Sequence, residues 1–183
     1  EVLGHPFYQM WYSAYSSSDG TGYGLGYAIS ADGTNWESHT SNPLFEEPTD
    51  GGWDKSAMDA LQPIWDHDAN KYYMMYQGIN LDSGSTKLGL YESADGIQWS
   101  KSPQSPLLDF TQEYAGNSYC WPLALNKNSD GTLQGYLAGG PRDILEPTGT
   151  CQIYRFSGTS FDDISLDPQP VIEAGPKNYD KAG

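Results

Sequence analysis

Apolar and polar residues alternate from residue 7 to 15, and the period of two places Tyr8, Met10 and Tyr12 on one face of a strand. Residues 16–22 are a Ser/Gly/Asp connection too polar for a core. A second strand follows at 23–30, thinned by Gly24 and Gly26, where another segment can come close. Asp32-Gly33 is a hairpin signal, and Trp36 opens a short outer strand. The order then returns. A strand at 60–65 and a polar hairpin at 66–70 lead into an aromatic strand from Lys71, a second strand, the turn Asp95-Gly96 and Trp99. A third round has strands at 120–125 and 133–139, then 151–156 and 161–165. Residues 41–54 and 107–116, broken by Pro43 and Pro48 in the first case, read as irregular. No segment holds a helical period over three turns.

The rounds are copies of one unit. Tyr12 corresponds to Tyr76, Ser30-Ala31-Asp32-Gly33 to Ser93-Ala94-Asp95-Gly96, and Trp36 to Trp99. A weaker third copy carries Tyr154-Arg155-Phe156-Ser157-Gly158 and Phe161, and Pro168-Gln169-Pro170-Val171-Ile172 echoes Asn42-Pro43-Leu44-Phe45. Four short antiparallel strands in each of about 60 residues predict the blade of a β-propeller. A solenoid or a sandwich would also use short strands and turns. The repeating sets of four favour blades. The chain therefore predicts one all-β domain over 1–183, with blades at roughly 7–45, 57–108 and 117–172. The first blade lacks its innermost strand, so the count is three, four and four. Three blades cannot close a ring of the usual four to eight. The chain is then a fragment, or is completed by another copy, or is an open arc covered by a partner.

Composition changes this picture in two ways. Aromatic residues make up 14% of the chain, with 14 Tyr and 6 Trp, which suits half-exposed strands and sugar-facing surfaces. The net charge is −15 with only 9 Lys and Arg, a surface that repels phosphate backbones and anionic membranes. Nucleic-acid and membrane-surface roles are excluded as expectations; neutral or cationic partners, or plain solubility, remain. Cys120 and Cys151 make no disulfide framework and stand as two buried thiols or one bridge. The chain opens at Glu1 rather than Met, which suggests a removed or omitted upstream piece. The compartment, secreted or cytoplasmic, stays open.

The words Tyr72-Tyr73-Met74-Met75-Tyr76, Leu88-Gly89-Leu90-Tyr91 and Ser93-Ala94-Asp95-Gly96-Ile97-Gln98-Trp99 resemble blades of the five-bladed propeller glycosidases. That superfamily includes arabinanases, xylosidases and fructan-cleaving enzymes. Gly52-Trp53-Asp54 followed by Pro63 fits the same pattern, and the resemblance runs from about residue 7 to 172. It implies a carbohydrate-active domain acting on plant or microbial oligo- or polysaccharide, with carboxylates carried on inner strands into a central funnel. A glycosidic bond needs such a pair, one group to supply the proton and one to act as nucleophile or base. One pattern in the family places an aspartate immediately before the inner-strand proline. Here Gln62 precedes Pro63 and Trp121 precedes Pro122, and that departure supports the alternative of a non-catalytic glycan- or protein-binding module.

The remaining candidates follow from spacing. Asp54 and Glu113 each lie nine residues before their proline, and Asp59 lies four before Pro63 with Ser118 as its counterpart. These three are the candidate catalytic acids; their competing reading is as turn caps. Gln62, Trp121, Tyr119 and Asn117 are the candidate sugar contacts, an indole face for stacking and amides for hydroxyls. Asp66-His67-Asp68 reads as a hairpin rather than a metal site, because three adjacent residues do not converge on one ion. No cofactor is expected. Uncovered blade faces would expose apolar surface, which predicts a homo-oligomer.

Overall fold

A computed structural model of the chain describes residues 8–15, 23–46, 52–80, 82–83, 85–109, 118–141 and 152–173. Three antiparallel sheets follow one another along the sequence. The first holds β1 (Tyr8–Tyr15) and β2 (Tyr23–Ser30), with β3 (Glu37–Ser38) and β4 (Phe45–Glu46) both on the far edge of β2. The second runs β5 (Ala57–Asp66), β6 (Lys71–Asn80), β7 (Ser85–Ser93) and β8 (Ser100–Lys101), with β9 (Leu108–Asp109) also on β7. The third runs β10 (Ser118–Lys127), β11 (Leu133–Pro141), β12 (Gln152–Gly158) and β13 (Ser165–Leu166). These are the expected blades. Among the described residues the first has no counterpart of β5 and β10, so β1 is its innermost strand.

The repeat holds down to single hydrogen bonds. Leu44 N–H donates to Leu25 C=O at 2.7 Å, Leu107 to Leu88 at 2.8 Å, and Val171 to Ile153 at 2.7 Å. His39 to Tyr27, Ser102 to Leu90 and Asp167 to Arg155 form a second such set, at 2.9, 2.9 and 2.8 Å. Leu44 and Leu107 donate from stretches expected to be irregular. The outer edge of the third strand in each blade needs partners for its backbone groups, and β4, β9 and the Ile153–Ile172 bridge supply them.

One expected strand is corrected. Residues 161–165 are a 3-10 turn over Phe161–Asp163, and only Ser165–Leu166 is strand. The Asp163 carboxylate accepts the backbone N–H of Thr159 and of Ser160, both at 2.8 Å, and this capping box closes the chain on itself.

The blades stack through two cores. Leu25, Met58, Met74, Tyr76 and Tyr91 fill the seam between blades one and two; Met75, Leu88, Cys120, Leu137, Tyr154 and Phe156 fill that between blades two and three. Alternation on β6 explains the division, since Met74 and Tyr76 point one way and Met75 the other. Glycine makes room for the rings. Gly26 lies opposite Tyr12 and Gly89 opposite Tyr76, and a Cβ at either would come within 2.3 Å of the facing ring. The third blade exchanges the partners between strands, with Gly135 opposite Phe156.

The turn at residues 93–99 joins the first two blades. Gly96 has φ of 76°, in the left-handed region, and its carbonyl accepts the Trp99 indole N–H at 2.9 Å. Trp11, from blade one, donates its indole N–H to the same carbonyl at 2.8 Å. Its ring meets Trp99 edge-on at 6.1 Å and Tyr72 at 5.4 Å.

Candidate functional site

Strands β1, β5 and β10 lie side by side along the inner edges of the three blades. The inner strands β5 and β10 each carry one bulge, between Asp59 and Gln62 in the first and between Pro122 and Ala124 in the second. A bulge adds one residue to one strand and re-aims the side chains beside it. Asp59 stands at the start of the first bulge, half-buried, and accepts the Ser13 hydroxyl at 2.9 Å across the seam from β1. Gln62, also half-buried, lies opposite Met75. Pro122 and Cys120 turn into the protein, while Trp121 keeps 38% and Leu123 45% of its surface exposed. The structure thus places Asp59, Gln62 and Trp121 on one layer of inner strands. Tyr119 lies on β10, and Glu113 and Asn117 fall outside the described residues.

Asp54 is elsewhere in the blade and is fully buried. It accepts the Tyr76 hydroxyl at 2.6 Å and the Lys101 ammonium at 2.8 Å. Trp53 stacks on Tyr76 at 5.9 Å, and Lys101 lies 5.7 Å over the Trp53 ring. A buried carboxylate needs such partners, a charge and a hydroxyl together, to offset its lost hydration. The Gly52-Trp53-Asp54 word thereby ties the chain entering blade two to that blade's second and outer strands.

Asp66-His67-Asp68 is likewise occupied by structure. Asp66 accepts Lys127 from the neighbouring blade at 2.8 and 2.9 Å and caps the N–H groups of Asp68 and Ala69. Burial works to raise its pKa, and these donors outweigh burial and hold it below the usual carboxylate value. His67 accepts the Trp65 indole N–H at 3.2 Å. Among the described residues no three His, Cys, Asp or Glu gather as a metal site would require. Cys120 carries a free thiol in the core, and burial pushes its pKa far up, so it is no nucleophile; Cys151 falls outside the described residues.

Two polar residues near Asp59 were not singled out by sequence. Ser13 is one. The other is Gln77, opposite Asp59 on β6, 2% exposed, with no hydrogen-bond partner for its side-chain Nε2 among the described residues. The signal was a lone amide ending the run Tyr72-Tyr73-Met74-Met75-Tyr76.

No protein-family model matches the chain, and no curated protein matches it in sequence. Solved structures do match. Fructan 1-exohydrolase IIa from Cichorium intybus superposes with a TM-score of 0.66 at 19% identity, over 90% of this chain and 30% of that one. A GH32 β-fructofuranosidase of Bombyx mori, in complex with sucrose, gives 0.62 at 17%, over 91% and 35%. A thermostable family-43 glycoside hydrolase gives 0.60 at 20%, over 94% and 55%. The chain spans between 30% and 55% of the length of these three proteins. Its fold is that of the propeller glycoside hydrolases, present as about three blades.

Proposed function

We propose that this chain is a carbohydrate-active propeller domain whose inner strands form one wall of an oligosaccharide site. The observation that carries the reading is the inner layer itself. It sets a carboxylate at a bulge, Asp59, beside a half-buried amide, Gln62, and a solvent-open indole, Trp121, on adjacent strands. An indole face stacks on a sugar ring, an amide pairs with ring hydroxyls, and a carboxylate accepts from hydroxyls or acts on the glycosidic oxygen. The structural relatives are fructan- and sucrose-acting enzymes or glycoside hydrolases, so β-linked fructosides and arabino- or xylo-oligosaccharides are the first substrates to try.

For hydrolysis, Asp59 is the first of the two carboxylates, and Glu113 is the candidate for the second. A second reading, binding without hydrolysis, is favoured by Gln62 and Trp121 standing where the resemblance expects acids before the prolines. Along β10 there is no carboxylate, and on β5 the other acid, Asp66, is held by Lys127. One series of measurements separates the readings. Hydrolysis and calorimetric binding of fructo-, arabino- and xylo-oligosaccharides are followed in wild type, Asp59→Asn, Glu113→Gln and Trp121→Ala. For the enzyme, Asp59→Asn lowers turnover by about a hundredfold or more, in the range expected of a general acid or base, and keeps binding. For the binding module, wild type hydrolyses nothing and Trp121→Ala loses the bound sugar. A wild type that neither binds nor cleaves any of these sugars ends the proposal.

A further inference from the structure

Blades two and three each end inward on a full-length strand that blade one lacks among the described residues. In blade two β6 pairs with β7 on one side and β5 on the other, and in blade three β11 pairs with β12 and β10. In blade one β1 pairs with β2 alone among the described residues. Ser13, Gln77 and Ala138 are matching positions, opposite Leu25, Leu88 and Ile153, whose carbonyls accept from the outer strand of each blade. That alignment sets Met10 and Tyr12 of β1 against Met74 and Tyr76 of β6. Met74 and Tyr76 are fully buried, whereas Met10 and Tyr12 are only half-buried. In blade two the strand inward of β6 is β5, and it lies beside β10. The matching place in blade one, inward of β1 and beside β5, holds no described strand.

A strand's N–H and C=O groups point alternately to its two sides, so about half of those on β1 face this place without a described ladder. Such an edge is a template for an extended chain. Residues 8–15 carry neither a charge nor a proline to blunt it. What fits is shown by β5 and β10. Each is ten residues long, runs antiparallel to its neighbour, and has one bulge adjoining one proline, Pro63 or Pro122. Proline is tolerated there because the inward side of an inner strand has no ladder to complete.

We infer that the inner edge of β1 binds a strand of a partner polypeptide, antiparallel and of the same apolar, proline-containing kind as β5 and β10. Asp59 lies opposite Gln77 and Trp121 opposite Ala138, so the partner residue opposite Ser13 joins them in one row. The added strand thereby completes the inner layer on the side of Asp59. The pairing rests on backbone groups and holds whether or not that layer binds sugar.

The probe is a synthetic peptide with the sequence of residues 57–66, the strand that fills this place in blade two. Amide hydrogen exchange, resolved by residue, is the readout. In the protein alone, the β1 amides that point away from β2 should exchange about a hundredfold faster than their counterparts on β6. Peptide at roughly ten times its dissociation constant should slow those amides by about tenfold and leave the ones bonded to β2 unchanged. N-methylation of alternate peptide amides separates main-chain pairing from loose adhesion. Methyl groups on the set facing β1 should abolish the protection, and methyl groups on the other set should keep it. The inference is overturned by β1 amides already as protected as those of β6, or by protection that the peptide does not change. Protection that a scrambled peptide gives equally, or that both methylated peptides give alike, overturns it too. The protein stays wild type, so misfolding does not blur the outcome, and no sugar is present, so the sugar reading can fail independently.

Discussion

The turns at residues 30–36 and 93–99 share the Ser-Ala-Asp-Gly run, the tryptophan, the positive-φ glycine and all but one internal hydrogen bond, that of the Asn35 side chain to Asp32, yet one is packed under a neighbour and the other faces solvent. Ser30 and Ser93 accept the glycine N–H at 2.9 and 2.8 Å. Asp32 accepts the N–H of Thr34 and Asn35, and Asp95 those of Ile97 and Gln98. Each tryptophan indole closes on the glycine carbonyl. The difference enters from outside. Trp11 covers Gly96, which is buried, whereas Gly33 is exposed. Shape in these turns is set locally by Ser, Asp and Gly chemistry, and burial is conferred by the next blade.

That separation is open to attack at Trp11. Replacing it with Ala removes the bond to Gly96 and the ring contacts with Tyr27, Tyr72 and Trp99. Trp11→Ala should lower stability by about 3–5 kcal/mol, as large aromatic truncations in packed sites do. Trp36→Ala should cost less, about 1 kcal/mol, because no described residue of a neighbouring blade packs on its ring and 37% of its surface is exposed. Urea unfolding of both proteins gives the two numbers. Equal losses would show that the open turn is as well packed as the covered one.

How far the sequence carried the reading follows the same divide. The hairpins, the Asp-Gly turns and the blade order were legible because their causes lie within a few residues of one another. The partner of Trp11 lies 85 residues away, and no local pattern marks it. Asp54 shows this most sharply for the site. Its spacing from Pro63 matches that of Glu113 from Pro122, but spacing carries no sign of Tyr76 and Lys101, which enclose it. Asp59 could be named from its place before the proline, while its contact with Ser13 depends on how two blades meet. The two-residue strands β4 and β9 escaped notice because a strand that short has no period to read.

A smaller effect separates the turns at their glycines. Alanine at either position must adopt a left-handed backbone, which costs about 1–2 kcal/mol. At Gly96 the new Cβ would also stand 2.9 Å from Cζ2 of Trp11, an overlap that rigid rings relieve only by moving. At Gly33 the nearest atom, on Tyr8, is 3.6 Å away, an ordinary contact. Gly96→Ala should therefore destabilise more than Gly33→Ala, by about 1 kcal/mol or more. The double variant Gly96→Ala with Trp11→Ala sharpens the point, since removing the indole should erase most of the excess and leave only the tighter contact with Tyr72, at 3.3 Å. An undiminished excess would place its cause in Tyr72 or the backbone of that turn rather than in the covering blade.

The smallest effect should have one sign at both turns and a size set by the donors each carboxylate has. The N–H and side-chain amide of Asn35, with the Thr34 N–H, hold the Asp32 carboxylate below its usual pKa. The N–H groups of Gln98 and Ile97 do this for Asp95. A depressed folded pKa means that the ionised form is favoured by folding. The stability it contributes is present above the unfolded carboxylate value of about 3.9, and is lost as pH falls through the folded value. Both groups stand in solvent, so the contribution is small. Asparagine keeps a carbonyl acceptor in the turn but cannot titrate. Asp32→Asn and Asp95→Asn should thus each be slightly less stable than wild type near neutral pH, with the gap closing as pH drops below about 4. Urea midpoints measured at intervals down the acid limb should give two curves of one shape, with the wider gap for Asp32→Asn, because Asp32 also accepts the Asn35 side-chain amide at 2.8 Å. Trp11 packs on the glycine and the tryptophan of its turn and leaves the Asp95 carboxylate exposed, so a wider gap for Asp95→Asn than for Asp32→Asn would mean that the covering blade reaches the carboxylate after all.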